Sequence, residues 1–133
     1  QGADPGWDVL SITGSLTISA TAQNKFNVDL ISLTPANSAG NAANFNNAQS
    51  YTWTIATATE GVSGFSSDKF SLNASGFSNP LNGGSFGISL ANNNLQVTFT
   101  PVPEPEEYAA VFAAGLLAFA FWRRKQAQTA ART

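Results

Sequence analysis

From Leu10 the chain alternates apolar and polar positions: in LSITGSLTIS, Leu10, Ile12, Leu16 and Ile18 fall on one face and Ser11, Thr13, Ser15, Thr17 and Ser19 on the other. A period of two with β-branched residues predicts one strand. The same alternation returns in KFNVDL, where Phe26, Val28 and Leu30 oppose Lys25, Asn27 and Asp29, and in SYTWTIAT, where Tyr51, Trp53 and Ile55 oppose Thr52 and Thr54. It recurs at Phe70 and Leu72, at Phe86, Ile88 and Leu90, and at Leu95, Val97 and Phe99. Residues 34–49 and 75–84 are rich in Asn, Gly, Ser and Pro, which predicts loops, and Asn92 to Asn94 form the short polar interval of a hairpin. No useful length of this body has helical periodicity, so it is all-β, either a sandwich or a solenoid. SGFS occurs at 63–66 and 75–78, a spacing too short for a solenoid rung of roughly 20 residues or more.

The pattern changes after the last strand. Pro101, Pro103 and Pro105 remove backbone donors and extend their neighbours, which ends the strand and begins a stiff spacer. A helix is predicted from about Glu106 to Trp122, with Glu106 and Glu107 at its positive end and the Arg123, Arg124, Lys125 cluster at its negative end. Tyr108 to Trp122 carries no charge. These fifteen residues rise about 22 Å against a hydrocarbon core of about 30 Å. Tyr108 and Trp122 as interfacial aromatics, with snorkelling basic side chains, extend the reach of a single transmembrane helix. By the positive-inside rule the basic stop-transfer cluster faces the cytoplasm and the β body lies outside. Ala110, Ala114 and Ala118 form a small-residue line suited to helix packing, or simply fill a short apolar helix. The domain reading is residues 1–101 as an extracytoplasmic all-β domain and 102–133 as a tail, made of spacer 102–105, helix 106–122 and basic cluster 123–125.

Charge and composition narrow the chemistry. Residues 1–102 hold Lys25 and Lys69 against Asp4, Asp8, Asp29, Glu60 and Asp68, a net charge of −3, while the remainder is +1. No clustered Lys and Arg exist in the body to neutralise phosphates, so nucleic acid is not an expected partner. With no Cys and no His, disulfides, thiol nucleophiles, the usual zinc ligands and the commonest general base are excluded. Ser66 and Lys69 have S-x-x-K spacing, but the motif runs into a strand-like segment and lacks its S-D-N and K-T-G companions. Asp4 with Asp8, or Glu60 with Asp68, offers a carboxylate pair of the kind glycosidases use; in an acidic chain these read as solvated surface groups. The acids are too sparse for a calcium site of six or more oxygens. Trp7, Tyr51 and Trp53 offer a sugar-stacking platform only if exposed and coplanar, and Trp53, on an alternating strand, reads as core. Asn73-Ala74-Ser75 matches a glycosylation acceptor, which carries little information in a chain so rich in Asn and Ser. No catalytic residue, metal ligand or cofactor is expected.

The tail closely resembles the PEP-CTERM sorting signal of exported Gram-negative proteins. Val102-Pro103-Glu104-Pro105 matches its Val-Pro-Glu-Pro block, Gly115-Leu116 its mid-helix Gly-Leu, and Arg123-Arg124-Lys125 its closing basic cluster. The chain departs from the commonest form at Glu106, where Ser or Thr usually follows, and in the extension from Gln126 to Thr133. The resemblance implies export by the general secretory route, transient anchoring in the inner membrane and processing by exosortase, a membrane cysteine transpeptidase-like enzyme. It also implies a cell-surface or extracellular destination, with exopolysaccharide as a potential partner. More loosely, residues 4–100 resemble the C-terminal part of β-helical, autotransporter-passenger-like PEP-CTERM proteins, through GWDVLSITGSLTI (6–18), YTWTIATATEGVSGF (51–65) and NNLQVTFTPVPEP (93–105). That likeness implies the terminal segment of a right-handed parallel β-solenoid ending in a hairpin, with a β-sandwich as the alternative. It also implies an upstream portion, as expected of a chain that begins QGADPG without Met or a signal-peptide core. The expected role is a noncatalytic surface or matrix structural protein; the alternatives are a carbohydrate-binding surface module and a permanently anchored accessory subunit of a membrane complex.

Overall fold

A computed structural model of the chain describes residues 7–103, 112–117, 119, 122 and 123. Two compact units, Gln1–Val102 and Pro103–Thr133, divide the chain. The first is all-β, with eight strands among the described residues: β1 Leu10–Ile12, β2 Leu16–Thr17, β3 Phe26–Ile31, β4 Tyr51–Ala58, β5 Val62–Ser63, β6 Phe70–Gly76, β7 Ser85–Ala91 and β8 Asn94–Thr100. A 3-10 turn at Ser67–Lys69 precedes β6.

Two kinds of pairing organise these strands. β1, β2 and β3 pair in parallel with β4, β5 and β6 respectively, at nearly constant spacing: Leu10 faces Ala56, Leu16 faces Val62 and Phe26 faces Phe70. Parallel neighbours need a long return of the chain, and here that return carries the whole second passage of three strands over the first. β7 and β8 then form an antiparallel hairpin, and β8 adds antiparallel to β4, giving the order β1-β4-β8-β7. Asn92 and Asn93 both have positive φ at the hairpin turn, the backbone twist that matches two-residue hairpins and that Asn tolerates. The core centres on the second passage and the hairpin: Ala56, Phe70 and Leu95 are buried together, with Leu16, Ile18, Val28, Ile55, Phe65 and Ile88 packed against them.

The structure corrects two readings of the alternation. LSITGSLTIS is not one strand: Gly14 adopts φ +122° and turns the chain, so Leu10–Ile12 and Leu16–Thr17 join different sheets. In β4 the inward face changes part-way. Tyr51 is buried and Trp53 half-buried, but beyond them it is Ala56 and Ala58 that are buried. A register shift against β8 between Thr54 and Ala56 inserts Ile55 as an extra residue, and one inserted residue exchanges the two faces of a strand. The bulge is backed by Trp7, whose indole Nε1–H donates to the Thr54 carbonyl at 2.6 Å.

The loop between β3 and β4 is pinned rather than loose. Ser32, buried, accepts at its Oγ from the Ser78 amide at 2.7 Å, and its own carbonyl accepts from Gly40. Asn79 holds Ala42 at both backbone groups, accepting from its N–H at 2.7 Å and donating to its carbonyl at 3.1 Å. These contacts carry Phe45 into a cluster of rings with Tyr51, Phe77 and Phe99.

Candidate functional site

The sorting-motif residues begin where β8 stops. Thr100 still pairs with Ser85, but Pro101 has no amide hydrogen to continue a ladder, and residues 101–103 have no regular structure. Val102 sits beside Gly83, close enough that a Cβ at that glycine would lie 3.2 Å from Val102 Cγ2, and is itself more than half exposed. Pro103 is exposed. Glu104, Pro105 and Tyr108, with Ala110, Ala118, Arg124 and Lys125, lie outside the described residues.

Within the second unit, residues 112–117, 119, 122 and 123 are helical, so Gly115, Leu116 and Trp122 are in helix, as is Arg123 of the basic cluster. Phe112, Leu116, Leu117, Phe119 and Trp122 are all exposed, and the Phe119 and Trp122 rings lie 5.9 Å apart. No helix among the described residues is long and apolar enough to cross a membrane; the predicted span at 106–122 falls partly outside them.

In the body, the residues with candidate chemistry are dispersed into structural contacts. Lys69 Nζ donates to the Gly64 carbonyl at 2.7 Å, while Ser66 occupies the extended position before the 3-10 turn. Asp8, Glu60 and Asp68 are exposed, and Asp4 lies outside the described residues. Among the described residues no three Asp, Glu, His or Cys side chains gather as metal ligands. Asn73 of the acceptor pattern donates from Nδ2 to Asp29 at 2.8 Å and accepts the Ser75 amide at 3.1 Å.

The three candidate stacking aromatics do not share a plane. Tyr51 and Trp53 stack on each other with centroids 5.2 Å apart at 12°, so each covers a face of its neighbour. Phe86 lies against Trp53, and Phe45 against the other ring. The Tyr51 hydroxyl accepts from the Asn46 amide at 2.8 Å and donates to the Asn44 carbonyl at 3.2 Å. Trp7 is exposed, on the first passage of the chain.

What the alternation did not reveal is an exposed apolar end. Val9, Leu10, Phe26, Ile31 and Leu33, all on the first passage, are large apolar residues left substantially in water. The signal for it is the pairing of the passages, which no local window of sequence contains. The chain matches no protein-family model, no curated protein and no solved structure.

Proposed function

We propose that the chain is an exported cell-surface or extracellular-matrix structural protein, with a C-terminal PEP-CTERM-type signal that exosortase processes. The observation that carries this reading is the ordered tail: Val102-Pro103-Glu104-Pro105, an uncharged apolar run from Tyr108 to Trp122, then Arg123-Arg124-Lys125. The end of β8 at Thr100 and the irregular, exposed Val102 and Pro103 support it, because a recognition segment has to leave the fold before an enzyme can grip it. On this reading Trp122 and the basic cluster hold the tail at the cytoplasmic side of the inner membrane until processing.

For the body we propose the terminal segment of a right-handed parallel β-solenoid, with β1–β3 and β4–β6 as successive turns and the β7–β8 hairpin as the cap. Three parallel pairs at nearly constant spacing support it, as does the ladder of like positions: Thr17 Oγ1 to Ser63 Oγ at 3.2 Å and Phe26 against Phe70. Such a body offers a hydroxyl-rich surface and a structural, noncatalytic role, with exopolysaccharide as the polymer it would meet outside the cell.

The test is expression of the chain behind a secretion signal, tagged at both ends, in hosts with and without exosortase. Loss of the C-terminal tag and release from the membrane fraction only in the exosortase-positive host is the expected result. Retention of both tags in the membrane of both hosts would sink the sorting reading and assign the chain to the permanently anchored class.

A further inference from the structure

Asn82 is followed by Gly83, and no other asparagine of the chain precedes a glycine. The two residues form the exposed centre of a tight turn leading into β7: Asn82 has φ +47° and Gly83 φ +84°, and the Gly84 N–H donates to the Leu81 carbonyl at 2.8 Å. Positive φ at both central positions is the mirror-image turn that Asn-Gly favours. Its flanks are clamped. Before the turn, the Pro80 carbonyl accepts from Asn47 Nδ2 at 3.0 Å; after it, Gly84 lies so close to the Phe99 ring that a Cβ there would overlap it. Gly83 itself faces Val102, the first residue of the Val-Pro-Glu-Pro block.

An exposed Asn-Gly pair needs only water to react. The Gly83 amide nitrogen, having given its proton to solvent, can reach the Asn82 side-chain Cγ by closing a five-membered ring, and glycine has no side chain to bar the approach. The Gly83 N–H makes no backbone hydrogen bond among the described residues. A bond forms between the Gly83 nitrogen and Cγ, the Cγ–Nδ2 bond breaks, and the side-chain nitrogen leaves as ammonia, taking a proton from solvent. Water then opens the cyclic imide at either of its carbonyl carbons. One opening leaves an ordinary aspartate. The other leaves isoaspartate, in which the main chain runs through the former side chain and is one carbon longer. Nothing is oxidised or reduced in either.

We propose that Asn82 is a spontaneous modification site, where conversion to isoaspartate opens the turn and loosens the junction at which the chain leaves β8. That junction is what the turn holds in place. Ser85 pairs with Thr100 at the mouth of the β7–β8 ladder, and Val102 lies against Gly83. A turn fixed at Pro80 and at Gly84 has no room for another main-chain atom while the bond from Gly84 to Leu81 is kept. The reaction needs no enzyme and is independent of how the tail is processed. Two other asparagines supply the comparison. Asn37 shares the exposure and the left-handed backbone, at φ +58°, but precedes Ser38, whose Cβ crowds the amide nitrogen. Asn79 precedes Pro80, which has no N–H to lose.

The full chain is incubated at neutral pH in heavy-oxygen water, which marks each carboxyl group formed, and its peptides are followed by mass spectrometry. Label should enter at Asn82 about tenfold faster than at Asn37, because glycine leaves the attacking nitrogen unhindered. Most of the product should resist a protease that cuts before aspartate, as isoaspartate does. In the modified chain, amide hydrogen exchange at Ser85 and Thr100 should quicken by about tenfold, the mark of a local opening. Asn82→Gln, whose ring would need six members, should take no label and keep its slow exchange through the same incubation. Freshly prepared Asn82→Asp, which has the charge without the added carbon, should also exchange slowly. Labelling at Asn82 no faster than at Asn37 overturns the proposal. Exchange that quickens equally in incubated Asn82→Gln overturns it as well, since the junction then loosens without the reaction. Fast exchange in fresh Asn82→Asp would assign the opening to charge and overturn the role given to the lengthened main chain.

Discussion

Phe26 and Phe70 occupy equivalent places in consecutive passages of the chain, their rings edge to face at 6.1 Å and 69°. Yet Phe70 is core and Phe26 is mostly in water. Phe65 also packs on Phe70, at 5.8 Å, so the inner ring is held from two sides and the outer from one.

Truncating the two rings should therefore differ in cost. Phe70→Ala removes a buried aromatic and leaves a cavity, which costs about 3–5 kcal/mol. Phe26→Ala removes a ring that keeps little buried area, and costs about 1 kcal/mol. Denaturant melts of the two variants measure both values. Equal losses would show that the outer ring is buried in solution, and would contradict the exposed end.

Gly64 reports the stacking by another route. Its φ is +72°, and a Cβ there would stand 2.6 Å from the carbonyl oxygen of Ile18, a backbone atom that cannot turn aside. Gly64→Ala combines a left-handed conformation, costing about 1–2 kcal/mol for a residue with a side chain, with a clash between the two passages. A loss of at least about 2 kcal/mol is expected in a thermal or denaturant melt. A neutral substitution would mean that the Ile18 and Gly64 backbones do not approach as described.

The long 34–49 loop depends on Tyr51. Its hydroxyl accepts from Asn46 and donates to Asn44, beneath the Phe45 ring. Tyr51→Phe keeps the ring stacking but strands a partly buried amide hydrogen, which costs about 1–2 kcal/mol. Amide hydrogen exchange at Asn46 should quicken in this variant, while exchange in β7 and β8 should be nearly unchanged. Exchange quickened uniformly through the body would show a global loss instead of a loop released.

The alternation of Leu95, Val97 and Phe99 made β8 legible, because every second residue is buried there and the intervening ones are half-covered. Asn92 and Asn93 made its hairpin legible for the same reason: the required backbone is one that Asn tolerates. The break at Gly14 and the exchange of faces at Ile55 were not legible, since both Gly and a β-branched residue also sit within regular strands. Least legible was the parallel pairing. Leu10 pairs with Ala56 and Leu16 with Val62 without sharing residue types, and the identity of Phe26 with Phe70 is one position in a run of differing ones, so no run of repeated identities announces it; the shorter SGFS echo at 63 and 75 corresponds to no strand pairing. In the tail, Val102 and Pro103 could be read as the start of an irregular segment because proline chemistry acts locally, whereas membrane crossing depends on surroundings that a chain alone does not contain.

The tail separates two functions that distinct substitutions should uncouple. The basic cluster Arg123-Arg124-Lys125 supplies the positive-inside bias, and an apolar span of only about 22 Å has little else to stop its passage through the membrane. Replacing all three residues with Gln should therefore let the chain slip through, so that it leaves the membrane fraction with its C-terminal tag still attached. Replacing Pro103-Glu104-Pro105 with Ala-Ala-Ala leaves the apolar span unchanged and should not alter insertion. It removes the fixed φ angles that hold the segment extended, and with them the shape presented outside the membrane for processing. That variant should accumulate uncleaved in the membrane fraction of an exosortase-positive host, with processing below about a tenth of the wild-type level, a loss of roughly 1.4 kcal/mol or more in transition-state recognition. Fractionation with tags at both termini distinguishes soluble and tagged from membrane-bound and tagged. If both variants are processed and released like the wild type, neither motif nor cluster acts as a sorting signal, and the resemblance of the tail is one of composition alone.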